Sequence, residues 1–274
     1  MIYEVIYTSN ELDILDIQLH ELNDVVDKFI IIENPFDYLR NPKRMVFYEN
    51  RNRFKEFDDK IIHIIDDLPY GNQLGLDLMW SRTNSPILYN FLTKIQEDAF
   101  IIFSNSDVVL KKEVVKNLDI TKPSVFYMDW YESFFDQKST TTIFKWTVGI
   151  PLEYIKQYGI LQSHRLTRKE IPSDFESIII ENSGYHFSKC GDLDDLVEHI
   201  KGHPHIELAT NTKICNKEWL KNRRDLIKKW DDISSDNEIN LKEMYEIIPY
   251  DSKNYPDYIN KNPQIFEKYF RKGM

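Results

Sequence analysis

Short apolar runs alternate along this chain with stretches whose apolar positions recur every three or four residues. Ile2–Tyr7 reads as a buried strand, and Leu12, Leu15, Leu19 and Leu22 then follow helical spacing behind Asn10, a residue type suited to capping a helix. Lys28–Glu33 predicts a second strand ending in a carboxylate, residues 49–57 a polar helix, and residues 60–65 a third strand ending at Asp66 and Asp67. A helical stretch over 76–95, interrupted by Pro86, leads to a strand over 100–104 and the polar turn Asn105-Ser106-Asp107. Repeated strand–helix pairing predicts an α/β fold: a Rossmann-type, mostly parallel sheet flanked by helices. Ligands of such sheets sit beyond the carboxyl ends of the strands, which brings Glu33, Asp66 and Asp107 to one edge.

The second half is less regular. Strands are expected over 124–130, 140–146, Ile178–Ile180 and 185–188, and helices over 151–158 and 219–230. Leu193, Leu196, Val197 and Ile200 mark a further amphipathic helix, and residues 233–240 read as a polar loop. No internal repeat or long linker divides the chain, so residues 1–274 are expected to form a single domain.

Composition narrows the picture. Of 274 residues, 42% are hydrophobic and 14% aromatic, enough for a large buried core. Lys and Arg number 35 against 45 Asp and Glu, a formal net charge of -10 with no basic cluster, so no nucleic-acid partner is expected. No run approaches the roughly 18 apolar residues of a membrane-spanning helix. Residues 1–10 hold no basic leader before an apolar run, and a soluble, cytoplasmic protein is expected. Cys190 and Cys215 stand without a Cys-x-x-Cys pair or a zinc-type histidine spacing and read as two free structural thiols.

Candidate chemistry centres on the polar turn. Oxygen-bearing side chains beyond a buried strand can hold a divalent cation, and such a cation neutralises a diphosphate; Asn105 and Asp107 are placed for this. His186, within Gly184-Tyr185-His186-Phe187-Ser188, could complete the metal shell with a neutral imidazole, or be satisfied in the core by a carbonyl. Arg165 and Arg168, spaced i, i+3, would face one way on a helical turn and clamp a diphosphate, or else form a solvated face. Asp129, Glu132, Asp174 and Glu181 are carboxylates able to take a proton from a hydroxyl, and spacing does not choose among them; Asp129, Glu181 and Asp174 form the catalytic set carried forward. Trp130, Tyr131 and Trp146 either stack on sugar faces or belong to the core.

The run Asn10-Glu11-Leu12-Asp13-Ile14-Leu15, followed by Leu19-His20-Glu21-Leu22-Asn23-Asp24-Val25-Val26-Asp27-Lys28-Phe29, closely resembles the opening of glycosyltransferase family 17, the β-1,4-mannosyl-glycoprotein β-1,4-N-acetylglucosaminyltransferase family. The likeness continues through Pro42-Lys43, Phe47, Arg53-Phe54, Asp59-Lys60-Ile61-Ile62-His63, Trp80 with Arg82, and the segment from Gly184 to Ser188. Tyr255-Pro256, Asn262 and Phe266 carry it to the end of the chain. The resemblance implies a GT-A-like fold whose C-terminal half shapes the acceptor site. It also implies a nucleotide-sugar donor, a glycan acceptor, Mn2+ or Mg2+ as cofactor, and inverting transfer, with N-acetylglucosamine as the sugar in animal members.

On the family's pattern Asn105-Ser106-Asp107-Val108 falls on an Asp-x-Asp-Glu metal and donor motif; Asp107 is retained, while Asn and Val replace the first Asp and the Glu. An Asn carbonyl oxygen still ligates a metal, but without formal charge, so weaker metal affinity is expected. The donor-binding set is then Asn10, Glu11, Glu33, Arg82, Asn105, Arg165 and Arg168, and the metal set Asp107, Asn105 and His186. After Trp80 and Arg82, Thr83, Pro86 and Ile87 stand at the family's polar Glu, Gln and Arg positions. Animal members carry a membrane anchor; this chain resembles the soluble microbial or viral relatives, which implies an acceptor on a surface polysaccharide, lipid-linked glycan or capsid glycan. The alternative is a chain that keeps the fold and binds glycan or nucleotide without catalysis. A nucleotidyltransferase would share the α/β architecture, but no glycine-rich phosphate loop follows the first strand.

Overall fold

The computed structural model describes residues 1–170, 174–211, 215–228 and 244–271, and the loop expected over 233–240 lies outside them. Two mixed sheets organise the α/β fold. The first contains β1 (Ile2–Tyr7), β2 (Lys28–Glu33), β3 (Ile61–Ile65), β4 (Phe100–Asn105), β6 (Ser124–Phe126), β9 (Val148–Pro151) and β10 (Ile178–Ile180) in the order β10-β6-β9-β4-β1-β2-β3. All its strands run one way except β9, which is antiparallel to both neighbours. The second sheet has the order β12-β8-β7-β11-β5, from β5 (Val108–Leu110), β7 (Met128–Glu132), β8 (Gln137–Phe144), β11 (Gly184–Ser188) and β12 (Tyr245–Ile247).

Period-two alternation divides the first sheet's apolar residues between two cores. Phe29, Ile31, Phe100 and Ile102 meet Leu15, Leu19 and Leu22 of the helix Leu12–Leu22 on one face, together with Phe47, Phe54 and Phe57. Ile30, Ile32, Ile101 and Phe103 meet Leu88, Leu92, Leu152 and Ile155 on the other. Each of these side chains contributes roughly 1.5–3 kcal/mol on full burial. Glu4 sits among them in β1, accepting hydrogen bonds from Gln18 Nε2 at 2.8 Å and Ser104 Oγ at 2.9 Å. Burial pushes its carboxyl up to about 7, against the downward pull of Ser104 and Gln18.

Several local expectations change. The helix at 76–95 is two helices, Gly75–Thr83 and Pro86–Leu92, because Pro86 fits only a first turn; Ser85 Oγ caps it by accepting from the Leu88 amide at 3.4 Å. The polar helix at 49–57 is a short α turn, Val46–Glu49, followed by the 3-10 helix Arg51–Phe57. Asn10 is not the cap of Leu12–Leu22: Glu11 holds that position, and Asn10 Nδ2 donates to the Asp195 carbonyl at 3.2 Å. The run 124–130 splits at Tyr127 into β6 and β7, which belong to different sheets, and the strand expected at 140–146 is β8, ending before Lys145 and Trp146. Among the described residues no helix is long and apolar enough to cross a membrane.

Candidate functional site

The site begins where β1 and β4 leave the first sheet together. Tyr7 pairs with Asn105, so residues 8–11 and 105–107 emerge side by side at the carboxyl edge. Ser106 ties the two turns: its amide donates to the Tyr7 carbonyl at 3.2 Å, while its hydroxyl accepts from the Ser9 amide and donates to Glu11 Oε2, both at 3.1 Å. The chain then enters β5, where Val108 pairs with His186 and Leu110 with Gly184 of β11. Gly184 is required there, since a Cβ would stand 2.3 Å from the Val109 carbonyl oxygen.

This pairing brings Asp107 to His186. His186 Nε2 lies 2.9 Å from Asp107 Oδ2, and the Phe187 amide donates to the Asp107 carbonyl at 2.8 Å. The imidazole is held by Phe144, stacked at 4.0 Å between centroids, and by the edge of Trp130 at 4.3 Å. Asp107 Oδ1 and His186 Nδ1 are buried and have no hydrogen-bond partner among the described residues. Burial would raise the Asp107 carboxyl, but His186 beside it and the charge of His199 outweigh that and hold it below the usual carboxylate range.

His199 comes from the helix Leu193–Lys201, which Asp192 caps by accepting from the Asp194 amide at 2.8 Å. Its Nδ1 lies 3.0 Å from Glu11 Oε1 and 2.7 Å from Ser9 Oγ. Burial pulls the imidazole down, yet Glu11 and Asp107 together raise it above the ordinary histidine value. On the far side of His186, Glu132 at the end of β7 accepts from Lys189 Nζ at 2.8 Å and Trp130 Nε1 at 3.2 Å, with Arg223 at 3.4 Å. Burial opposes its ionisation, but Lys189 and Arg223 hold it below the usual range. Lys189 occupies the left-handed region at φ 54, its carbonyl pinned by Arg224 at 3.1 Å. Three pairs thus gather here: Asp107 with His186, Glu11 with His199, and Glu132 with Lys189.

The structure brings only part of the expected set together. Asn105 is exposed beside Asp107, and Asn10 and Glu11 border it. Glu33 reaches the same edge, but its oxygens accept from the Phe47 and Tyr48 amides at 2.8 and 3.0 Å, and His63 lies 3.1 Å away. Arg82 is buried, donating to the Asp37 carbonyl at 3.2 Å with its guanidinium over Tyr38. Arg165 is exposed, whereas Arg168, at the end of the helix Ile160–Thr167, lies over Trp146 at 4.4 Å and 3.2 Å from Glu170. Asp129 pairs in register with Tyr185, on the opposite face of the second sheet from Trp130 and His186, and lies 3.1 Å from Lys138. Glu181 is exposed before β11, at the end of that strand away from Asp107, and Asp174 is exposed. Among the described residues no three His, Cys, Asp or Glu side chains converge to hold a metal ion.

His199 and Lys189 escaped the sequence reading. The faint signal for His199 is its i, i+4 spacing from Asp195 beside the apolar stripe of Leu193, Leu196, Val197 and Ile200, but no spacing names Glu11 as its partner.

An α/β protein with an ionised carboxylate and paired histidines at the carboxyl edge of its main sheet belongs among the folds that bind ligands beyond strand ends. The chain matches the model of glycosyltransferase family 17 over residues 1–265, and it belongs to that family. It is 26% identical over 187 residues to the Beta-1,4-mannosyl-glycoprotein 4-beta-N-acetylglucosaminyltransferase of Homo sapiens, covering 62% of this chain and 33% of the human protein. The proteins of that name from Rattus norvegicus and Mus musculus match over the same shares at 26% and 25% identity. The chain therefore spans about a third of the length of the curated relatives it matches.

Proposed function

We propose that this chain transfers a sugar, with inversion, from a nucleotide-sugar donor to a hydroxyl of a glycan acceptor at the edge formed by residues 8–11, Asn105-Ser106-Asp107, His186 and His199. Family membership supports the reaction class, and the strand order, with β9 reversed beside β4, supports a GT-A-like architecture. The observation that carries the reading is Asp107: an ionised carboxylate with one oxygen held by His186 and the other buried without a partner.

Asp107 Oδ1 and the side-chain oxygen of Asn105 fit a Mn2+ or Mg2+ ion, because such ions are commonly held by one or two protein oxygens and complete their shell with substrate phosphates. When bound, the cation neutralises the charge that develops on the departing diphosphate. His186 then orients the carboxylate, since its Nε2 already faces Asp107 Oδ2. Lys189 and His199 add positive charge along the same edge, where a leaving diphosphate gathers negative charge. The lowered proton affinity of Glu132 suits it to anchoring Lys189 rather than to taking the acceptor's proton. N-acetylglucosamine, the sugar in the relatives' name, makes UDP-N-acetylglucosamine the first donor to try.

A thermal-shift screen of UDP, GDP, CDP and TDP sugars, with and without Mn2+, tests the reading, because a ligand at about 100 times its Kd stabilises the native state by about 2.7 kcal/mol. A metal-dependent rise with one nucleotide is the expected result. No rise with any of them contradicts it. The neutral Asn105 favours a second reading, a donor-binding protein without turnover, which a metal-independent rise with no release of nucleoside diphosphate would select.

A further inference from the structure

We infer that Trp146 and Trp80, braced by Arg168, form a stacking platform for a pyranose ring of the acceptor glycan; this deepens the transferase reading and rests on it. The strand register fixes the platform's position. In the antiparallel pair of β4 and β9, Phe103 lies opposite Val148. Two residues beyond this pair stand Asn105 on one chain segment and Trp146 on the other, so Trp146 leaves the sheet beside the Asn105-Ser106-Asp107 turn. Trp80 reaches the same edge on the helix Gly75–Thr83, whose last carbonyl accepts from the Tyr7 hydroxyl at 3.1 Å, at the end of β1.

The rings are fixed in place. The two indoles lie 6.0 Å apart at 49°, and the Arg168 guanidinium stands 4.4 Å from the Trp146 centroid and 5.3 Å from that of Trp80. The Arg168 side chain is only 8% exposed, while Trp146, the larger apolar group, remains 54% exposed. An indole packed against a buried cation has fewer rotamers open to it than a free one, which lowers the entropic cost of stacking. A sugar ring complements such a surface, since its C–H face stacks on the indole while its hydroxyls stay solvated or meet the polar edge. Trp146 stands on the β9 side of β4, across from the Glu11 and His199 pair beyond β1, and Trp80 meets it from the Tyr7 end of β1; the open indole thus lies apart from that charged pair, which suits a neutral acceptor ring.

The test is calorimetric titration of the full chain with mannotriose, chitotriose and UDP, comparing wild type with Trp146→Ala and Trp146→Phe. Circular dichroism confirms that the exposed substitutions leave the fold intact. The wild type is expected to bind at least one trisaccharide. Trp146→Ala should weaken that binding roughly tenfold, Trp146→Phe should restore most of it, and UDP affinity should stay within about twofold. Unchanged trisaccharide affinity in Trp146→Ala, loss of UDP affinity instead, or no binding of either trisaccharide by the wild type overturns the inference. Release of UDP from UDP-N-acetylglucosamine in water, measured alongside, needs no acceptor. Trisaccharide binding that depends on Trp146 without such release keeps the platform and removes the transferase reading; release with no effect of Trp146→Ala on trisaccharide binding does the reverse.

Discussion

Asp107 Oδ2 lies 2.9 Å from His186 Nε2, and this contact joins the edge of the first sheet to an inner strand of the second. The site therefore depends on both sheets being assembled. Removing the imidazole leaves a buried carboxylate with neither oxygen satisfied and a void against Phe144 and Trp130. His186→Ala should destabilise the chain by about 2–4 kcal/mol, read as a lower urea midpoint. A change within roughly 0.5 kcal/mol, the range of ordinary surface substitutions, would show that the pair contributes nothing to assembly.

The pair of Glu11 and His199 gives an opposite pH response from Asp107. The folded value of His199 is raised above 6.5, so its contribution is complete below the unfolded value and is lost as pH rises through the folded one. That of Asp107 is lowered from 3.8, so its contribution is present above the unfolded value and is lost as pH falls through the folded one. Comparing Tm against pH for wild type and His199→Gln should show the gap narrowing above pH 6.5. A gap independent of pH would mean that the imidazole packs without carrying charge.

Glu4 lies in the core of β1, and its carboxyl is raised from 4.5 to about 7 by burial. The folded state holds the proton more tightly, so stability falls as pH rises between those values. Glu4→Gln keeps the acceptor for Gln18 and Ser104 while removing the ionisation. The variant should exceed wild type by roughly 2–3 kcal/mol at pH 8 relative to their difference at pH 4, read from urea unfolding at both. Parallel pH profiles would contradict this.

Lys189 is held by Glu132 in a left-handed backbone conformation next to the site. Lys189→Met keeps most of the side-chain volume and removes the charge. It should weaken UDP binding roughly tenfold, a loss of about 1.4 kcal/mol, and steepen the dependence on Mn2+. Equal affinities by calorimetry would place Lys189 outside the diphosphate site.

The alternating strands and helices of the first half were legible because each strand is a short, nearly continuous apolar run set off by helical or polar stretches. β1, β2 and β4 announce themselves through Val5, Ile30 and Ile102, and the carboxyl edge follows from their parallel order. β9 was hidden, since Val148–Pro151 is short and its slot between β4 and β6 is decided by long-range pairing. The second sheet was equally opaque: β6 and β7 read as one run, and only tertiary contacts separate them at Tyr127. Asp107 and His186 were visible as candidates from the resemblance and the turn. His199 and Lys189 were invisible because a helix face and a loop lysine acquire meaning only from what they pack against.

Donor turnover decides whether Asp107 holds the donor: release of nucleoside diphosphate from UDP-N-acetylglucosamine in the presence of Mn2+ is measured for wild type and Asp107→Ala. Measurable release is expected from the wild type, with a fall of roughly 100-fold or more in the variant and the fold intact by circular dichroism. Equal release by the two would contradict the placement of the donor at Asp107.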